Sequence, residues 1–197
     1  LIAATRTGAL EPCEHIPGRC ADLRSYQAHG VAWLKFLDGL GLGACLADDM
    51  GLGKPMQILA LLLQEKRTGS ARSHPSLLVV PASLMSNWHK EAARFAPALR
   101  LALLHPSEMG KEDMAAFEQG EALTGYDLVI TTYGMCARLP WLASIPWRRV
   151  IADEAQTIKN AGTRQSKAVR KLQGASRIAL TGTPIENSLG DLWALFD

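Results

Sequence analysis

Ala47-Asp48-Asp49-Met50-Gly51-Leu52-Gly53-Lys54-Pro55 is the stretch whose reading decides the fold of this chain. Before it, Gly43-Ala44-Cys45-Leu46 is a short apolar run that reads as a buried strand. After it, Met56, Ile58, Leu59, Leu61, Leu62 and Leu63 are dense enough for a buried helix. A strand, a glycine-rich bend and a helix cradle phosphate: successive backbone N–H groups point at one anion, and the helix N-terminus adds partial positive charge. Lys54 then reaches the outer phosphates as a point charge. Two residues depart from the simplest form of this loop. Asp48 stands at its first Gly position, and Pro55 stands where Ser or Thr would hold magnesium. Gly-x-Gly-Lys also occurs in ordinary turns, so the reading rests on what the remainder supplies.

The 197 residues suffice for one domain with a real core, and a hydrophobic content of 48% is that of an ordinary globular chain. No apolar run approaches the roughly 20 residues of a membrane span, and no signal-peptide pattern opens the chain. The chain begins at Leu1 rather than Met, so it is expected to be an excerpt. A net charge of +2 is too balanced to argue for nucleic acid by itself, so any DNA site must be a local patch. Cys13, Cys20, Cys45 and Cys136 lack metal-ligand spacing; even Cys13 and Cys20, which flank His15, are too far apart for a zinc knuckle. Cys45 reads as a small core residue, and the expected compartment is reducing.

Residues 1–22 carry mixed polarity without periodicity and read as a lead-in from a preceding region. From Ser25, Tyr26, Val31, Trp33, Leu34, Phe36 and Leu37 cluster at helical spacing and close with Gly39 and Gly41. Gln27, in the first turn, is either a solvated side chain or an amide that pairs with the edge of an adenine, since it both donates and accepts. Further strands are predicted at Leu77–Val80, within Arg100–His105, at Asp127–Tyr133, at Arg149–Glu154 and at Ile178–Thr181. Helices are predicted from an N-cap at Ser83 through Phe95, near Lys111–Gln119, near Thr163–Leu172, and after Asn187 or Ser188. Trp141, Ile145 and Trp147 belong to a short helical or irregular passage. Strands that alternate with helices and are apolar on both faces predict an α/β fold, a mainly parallel sheet with helices on both faces in three layers. Ligands of such sheets bind at the carboxyl ends of the strands, where the loop, Pro81, Thr131, Asp153 and Thr181 all fall.

Val150-Ile151-Ala152-Asp153-Glu154-Ala155-Gln156 supplies what a phosphate loop needs. An acid at the tip of a buried strand can hold hydrated magnesium, and a second acid one residue on can polarise the attacking water. A pair of exposed acids at a strand end is common in isolation; about a hundred residues after a phosphate loop in the same sheet, it is a second half-site. Thr181-Gly182-Thr183-Pro184 ends another strand with two hydroxyls, either as a plain turn or as a sensor of the γ-phosphate.

Leu23-Arg24-Ser25-Tyr26-Gln27-Ala28-His29-Gly30-Val31-Ala32-Trp33-Leu34 resembles the adenine-recognition motif of the Swi/Snf-type ATPases, the superfamily 2 helicase-like motors of chromatin remodelling and DNA repair. The resemblance continues in order through Asp48–Lys54, Val80–Leu84 with Asn87-Trp88, Ile130–Gly134, Asp153–Gln156 with Ile158-Lys159-Asn160, and Leu180–Asn187. The Gln in fourth place of Asp153-Glu154-Ala155-Gln156 resembles bacterial members and the recombination-repair branch.

The resemblance implies a RecA-like first ATP-binding lobe of the P-loop NTPase kind over residues 23–197, with ATP and Mg2+ as cofactors. It implies that Gln27 recognises adenine and that Asp49, Met50, Gly51, Leu52, Gly53, Lys54 and Pro55 form the nucleotide loop. Lys54, Asp153, Glu154 and Gln156 are the expected catalytic set, with Asp153 on the metal. Ser83, Leu84, Thr131 and Thr132 would touch the backbone of double-stranded DNA, as hydroxyls and N–H groups at strand ends can without reading sequence. Gln156, Thr181, Gly182 and Thr183 would couple hydrolysis to movement. The basic face of Arg164, Lys167, Arg170 and Lys171 reads as a solvated helix face, with added DNA contact as its rival.

Pro55 offers neither hydroxyl nor N–H, although Pro in a first helical turn is sterically acceptable. It predicts weakened Mg-ATP binding. The chain stops at Asp197, where such a motor would continue into a second RecA-like lobe carrying the arginines that stabilise transition-state charge, so the lobe alone is expected to be nearly inactive. The expected parent is a DNA-dependent ATPase that translocates on or remodels protein-bound duplex DNA, as a monomer. It would be cytoplasmic in a bacterium and nuclear in a eukaryote. The alternative is a catalytically degenerate scaffold lobe that binds DNA or protein.

Overall fold

The computed structural model describes residues 22–49, 51–69, 74–120 and 123–182. In chain order the elements are α1 (Ser25–Gly39), β1 (Ala44–Leu46), α2 (Lys54–Arg67), β2 (Ser76–Val80), α3 (Met85–Phe95), β3 (Leu101–Leu103) and α4 (Lys111–Glu118). Then come β4 (Leu128–Thr132), α5 (Tyr133–Arg138), β5 (Pro146–Trp147), β6 (Val150–Ala152), α6 (Arg164–Lys171), β7 (Gln173–Gly174) and β8 (Arg177–Leu180). Six strands form one sheet in the order β1-β8-β6-β2-β4-β3, and every pair in it is parallel. All carboxyl ends therefore lie on one side.

The two periodicities of the sequence explain the layers. In β2, Leu78 and Val80 join α1, α2 and α3 in one apolar cluster, while Leu77 and Val79 join α4, α5 and α6 in the other. Successive side chains of a strand point to opposite faces, so covering both faces buries all five residues of β2. Helix α2 packs against α1 and α3, and Ile58, Leu59, Leu61, Leu62 and Leu63 are all buried. Each such side chain contributes roughly 1.5–3 kcal/mol by leaving water.

The amino ends of the strands are tied by ions. The guanidinium of Arg149, fully buried before β6, makes two hydrogen bonds to Glu65 of α2, at 3.1 and 2.8 Å, and pairs with Asp38 of α1 at 2.8 Å. Its Nε donates to Ser176 Oγ at 3.0 Å, and Arg148 reaches both acids. Burial pushes the Asp38 carboxyl up, but the charge and hydrogen bond of Arg149 outweigh it and hold the group below its ordinary range.

Two expectations change. Ser83 is not the cap of α3: it sits inside a 3-10 turn, Ala82–Leu84, and the α-helix begins only at Met85, with no side-chain cap. Pro81 is the reason, because its carbonyl accepts the Leu84 N–H and tightens the chain into 3-10 geometry before the helix opens. The passage around Trp141 to Trp147 resolves into a 3-10 turn, Pro140–Ser144, and β5, which pairs with β7 in a separate parallel two-stranded sheet. The lead-in 1–21, with Cys13, His15 and Cys20, and the last predicted helix lie outside the described residues.

Candidate functional site

The loop between β1 and α2 takes its shape from glycine. Gly51 and Gly53 have φ of 87° and 79°, left-handed values that a side chain resists, and Gly53 is the residue that opens α2. Gly53 is required twice over, because a Cβ there would lie 2.4 Å from Gln27 Nε2. The Lys54 ammonium, buried, donates back to the carbonyls of Asp48 at 2.7 Å and Asp49 at 3.3 Å. An ammonium has three donors, and the loop carbonyls take two. Pro55 occupies the second position of α2, half-buried, and the helix runs on undisturbed. Met50 lies outside the described residues.

A residue that the sequence did not single out braces this loop. Gln57 is completely buried, and its Nε2 donates to Asp48 Oδ2 at 2.7 Å. Its Oε1 lies against Gly30 of α1, where an added Cβ would come within 1.9 Å. The signal was present: Gln57 is one of two amides, with Gln64, inside an otherwise leucine-rich buried helix, and a buried amide calls for a partner.

Gln27 is not solvated but buried. Its Oε1 accepts the Arg24 N–H at 3.0 Å, its Nε2 donates to the Leu52 carbonyl at 3.1 Å, and the Tyr26 hydroxyl donates to the same carbonyl at 3.0 Å. Helix α1 is thereby stitched to the tip of the loop. An incoming adenine would have to replace these bonds.

The acid pair follows β6 directly, in a turn rather than in the strand. Asp153 is buried; its Oδ2 accepts the Trp88 indole N–H at 2.7 Å and its Oδ1 the Glu154 N–H at 2.9 Å. The Tyr133 hydroxyl donates to its main-chain oxygen at 2.6 Å. Burial pushes the Asp153 carboxyl up, and the Glu154 charge adds to that; the Trp88 and Glu154 N–H groups and the Lys54 charge pull it back. Glu154 has φ 48°, the only non-glycine positive φ among the described residues. A strained backbone of this kind costs about 1–3 kcal/mol and persists where the surroundings hold it. Here it follows directly on Asp153 and places both acids on one cleft. Gln156 Nε2 donates to Glu154 Oε2, and Gln156 Oε1 accepts the Thr181 hydroxyl at 2.8 Å.

Loop and acids face each other. Gly51, Gly53, Lys54 and Pro55 line one side of a cleft of about 290 Å³, and Asp153 and Glu154 line it with Leu84 and Trp88. No group of three or more metal-ligating side chains occurs among the described residues. Asp153 and Glu154 on the wall of this cleft offer the one or two carboxylates that magnesium takes before it completes its shell with phosphates and water.

The residues expected on DNA divide. Ser83 is exposed and Leu84 half-buried at the cleft. Thr131 is fully buried, with its hydroxyl donating to the Leu104 carbonyl at 3.0 Å; Thr132 is also buried, and its hydroxyl accepts the Met135 N–H as the cap of α5. In this conformation both hydroxyls bond within the fold. Thr181 is buried and bound to Gln156, Gly182 follows it half-buried, and Thr183 lies outside the described residues. Arg164, Lys167 and Lys171 are exposed along α6, with Arg170 half-buried.

A parallel sheet with a glycine-shaped loop on one strand tip and a carboxylate pair on another defines a RecA-like α/β domain. The chain belongs to the SNF2-related domain family, whose model matches residues 26–197. It is 47% identical over 176 residues to the Bacillus subtilis protein YwqA, spanning 89% of this chain and 18% of that protein. It is 38% identical over 178 residues to the human SWI/SNF-related matrix-associated actin-dependent regulator of chromatin subfamily A member 1, spanning 89% of this chain and 17% of that protein. Among solved structures it is similar to the Sulfolobus solfataricus SWI2/SNF2 ATPase core in complex with dsDNA, with TM-score 0.80 and 42% identity over 92% of this chain and 36% of that one. The chain thus spans under a fifth of these two curated relatives. No described helix is long and apolar enough to cross a membrane.

Proposed function

We propose that this chain is the ATP-binding first lobe, over residues 23–197, of a DNA-stimulated ATPase that moves along duplex DNA, completed by a second RecA-like lobe of the same protein. The observation that carries the reading is the shared cleft, in which Lys54 and the Asp153–Glu154 pair face one another. Similarity to an ATPase core solved with double-stranded DNA supports the partner.

In this reading Gly51 and Gly53 turn loop N–H groups toward the phosphates, and Lys54 exchanges its bonds to the Asp48 and Asp49 carbonyls for phosphate oxygens. Gln27 exchanges the Leu52 carbonyl for the adenine edge. Asp153 would hold Mg2+, which when bound would supply charge neutralisation to the phosphates. Glu154 orients water and takes its proton, held in place by Gln156. Thr181, through Gln156, passes the state of the site to the next strand. Arginines of the second lobe would stabilise transition-state charge, so the isolated lobe hydrolyses ATP poorly.

Pro55 favours a second reading. It lines the cleft where a hydroxyl would meet the metal, which supports a degenerate lobe that binds DNA or protein without turnover. DNA-stimulated ATP hydrolysis by the full natural chain separates the two. Stimulation abolished by Glu154→Gln supports the motor; no hydrolysis with or without DNA supports the scaffold.

A further inference from the structure

On the layer of the sheet opposite α2 and α3, a groove of about 250 Å³ runs between α5, the 3-10 turn Pro140–Ser144 and α6. None of its lining residues lines the nucleotide cleft. Leu139, Pro140, Ala143 and Leu172 give it apolar walls. Cys136 adds a thiol that burial pushes up to about 12, so it stays neutral. Helix α6 supplies a rim of the opposite character. Arg164, Lys167 and Lys171 are exposed and line the groove at i, i+3 and i+7, one helix face about 10 Å long. No acidic side chain lines the groove, and among the described residues none of the three cations makes an ion pair. From Tyr133 to Leu172 the sequence has only two acids, Asp153 and Glu154, and both belong to the nucleotide cleft. The rim is held at both ends. Ser166 Oγ donates to the Ile158 carbonyl at 3.0 Å, and the Arg177 guanidinium donates to the carbonyls of Arg170 and Leu172 at 3.0 and 2.7 Å.

We infer that this groove docks an acidic amphipathic helix of a partner protein. Apolar side chains of the helix enter between Leu139, Ala143 and Leu172, and carboxylates on its flank meet Arg164, Lys167 and Lys171. Charge complementarity selects this occupant. Duplex DNA would use the cations alone, because a phosphate loses its hydration against apolar walls and gains no hydrogen bond there. A helix with one apolar face and one acidic flank uses both features of the groove. An extended segment fits less well, since its affinity comes from pairing with a sheet edge and no strand lines the groove. Carboxylates one helical turn apart also match the turn-by-turn spacing of the α6 cations. Exposed ion pairs contribute little each, so apolar contact carries the affinity and the cations choose the partner.

The test uses the full natural chain that carries this sequence and a display library of helices about four turns long. Each helix carries Leu, Ile, Phe or Met on one face and Glu, Gln or Lys beside it. Selection is expected to enrich helices with Glu on the flank, and replacing that Glu by Gln should weaken binding. Two variants then locate the site. Lys167→Glu combined with Lys171→Glu reverses exposed charges and should weaken the selected helix about ten-fold. Ala143→Phe sets a ring into the groove at constant charge and should weaken it at least as much, by about ten-fold or more. Mg-ATP affinity should be unchanged in both variants, which also shows that they fold. If one variant fails to fold, the other decides alone. Enrichment that ignores flank charge, or equal binding to native and variant chains, overturns the inference. So does a chain that selects no helix, whether a second copy, another part of the same chain or duplex DNA takes the groove; loss of self-association or of DNA affinity in the Lys167→Glu, Lys171→Glu chain would tell these apart. Each of these outcomes leaves the ATP site standing.

Discussion

The hydroxyl of Thr181 donates to Gln156 Oε1 at 2.8 Å, joining the tips of two neighbouring strands, β8 and β6, across the top of the sheet. Gln156 in turn donates to Glu154. The proposed water-orienting acid is thereby connected through two side chains to the residue that leads into Gly182. Thr181→Val removes the hydroxyl at nearly constant shape and leaves the Gln156 oxygen without this donor, at a cost of about 1–3 kcal/mol. The expected outcome in the full natural chain is ATP hydrolysis within about ten-fold of native and movement on DNA reduced much more. Paired hydrolysis and triplex-displacement assays check it.

Gly30→Ala sets two effects against each other. Alanine in a helix is worth about 0.5–1 kcal/mol over glycine. Its Cβ, however, would stand 1.9 Å from Gln57 Oε1, and Gln57 is sealed in the core beside the loop. Overpacking of this kind costs about 1–3 kcal/mol, so the clash wins and stability falls. Displacement of Gln57 also frees Asp48, so ATP affinity should drop with it. Denaturant unfolding and nucleotide titration on one preparation read both.

The ionic cluster at the amino ends of the strands predicts a dependence on pH. Asp38 has a folded pKa below its ordinary value of 3.8, so its contribution to stability is fully present above that value. The contribution is lost as pH falls through the depressed folded pKa. Asp38→Asn should therefore be less stable than the native chain at neutral pH, and the gap should close in acid below the ordinary carboxylate range. Urea unfolding across a pH series checks the sign. Glu65→Ala, which strips the fully buried Arg149 of its two-point partner, is expected to cost about 3–5 kcal/mol.

Pro55→Thr restores a hydroxyl where Pro55 lines the cleft. If Pro55 weakens the site, the variant gains Mg2+-dependent ATP affinity of several-fold, about 1–2 kcal/mol for one added charge-assisted bond, and no affinity in EDTA. Equal Mg-ATP affinity in both chains would show that other groups replace the hydroxyl. Isothermal titration with and without Mg2+ distinguishes the outcomes.

The sheet was legible because its cause is local. Leu77-Leu78-Val79-Val80 is apolar on both faces whatever lies around it, and the glycines of the loop declare their backbone. Asp153 and Glu154 were legible as a pair from their place at a strand tip. What stayed hidden depends on residues far apart in the chain. The indole of Trp88 reads as core packing until the fold brings it to Asp153, 65 positions on. Thr131 and Thr132 look like presented hydroxyls in sequence, but the carbonyl of Leu104 and the first turn of α5 claim them. The pairing of β5 with β7 joins segments too short for any periodicity to show.

ATP titration of this chain in Mg2+ beside Lys54→Ala and Asp153→Ala tests the central claim most directly. The account predicts that native affinity depends on Mg2+. Lys54→Ala should weaken binding at least about ten-fold with and without the ion, and Asp153→Ala should remove only the Mg2+-dependent part. Native affinity retained in both variants would contradict it, because ATP would then bind somewhere other than the cleft between the loop and the acids.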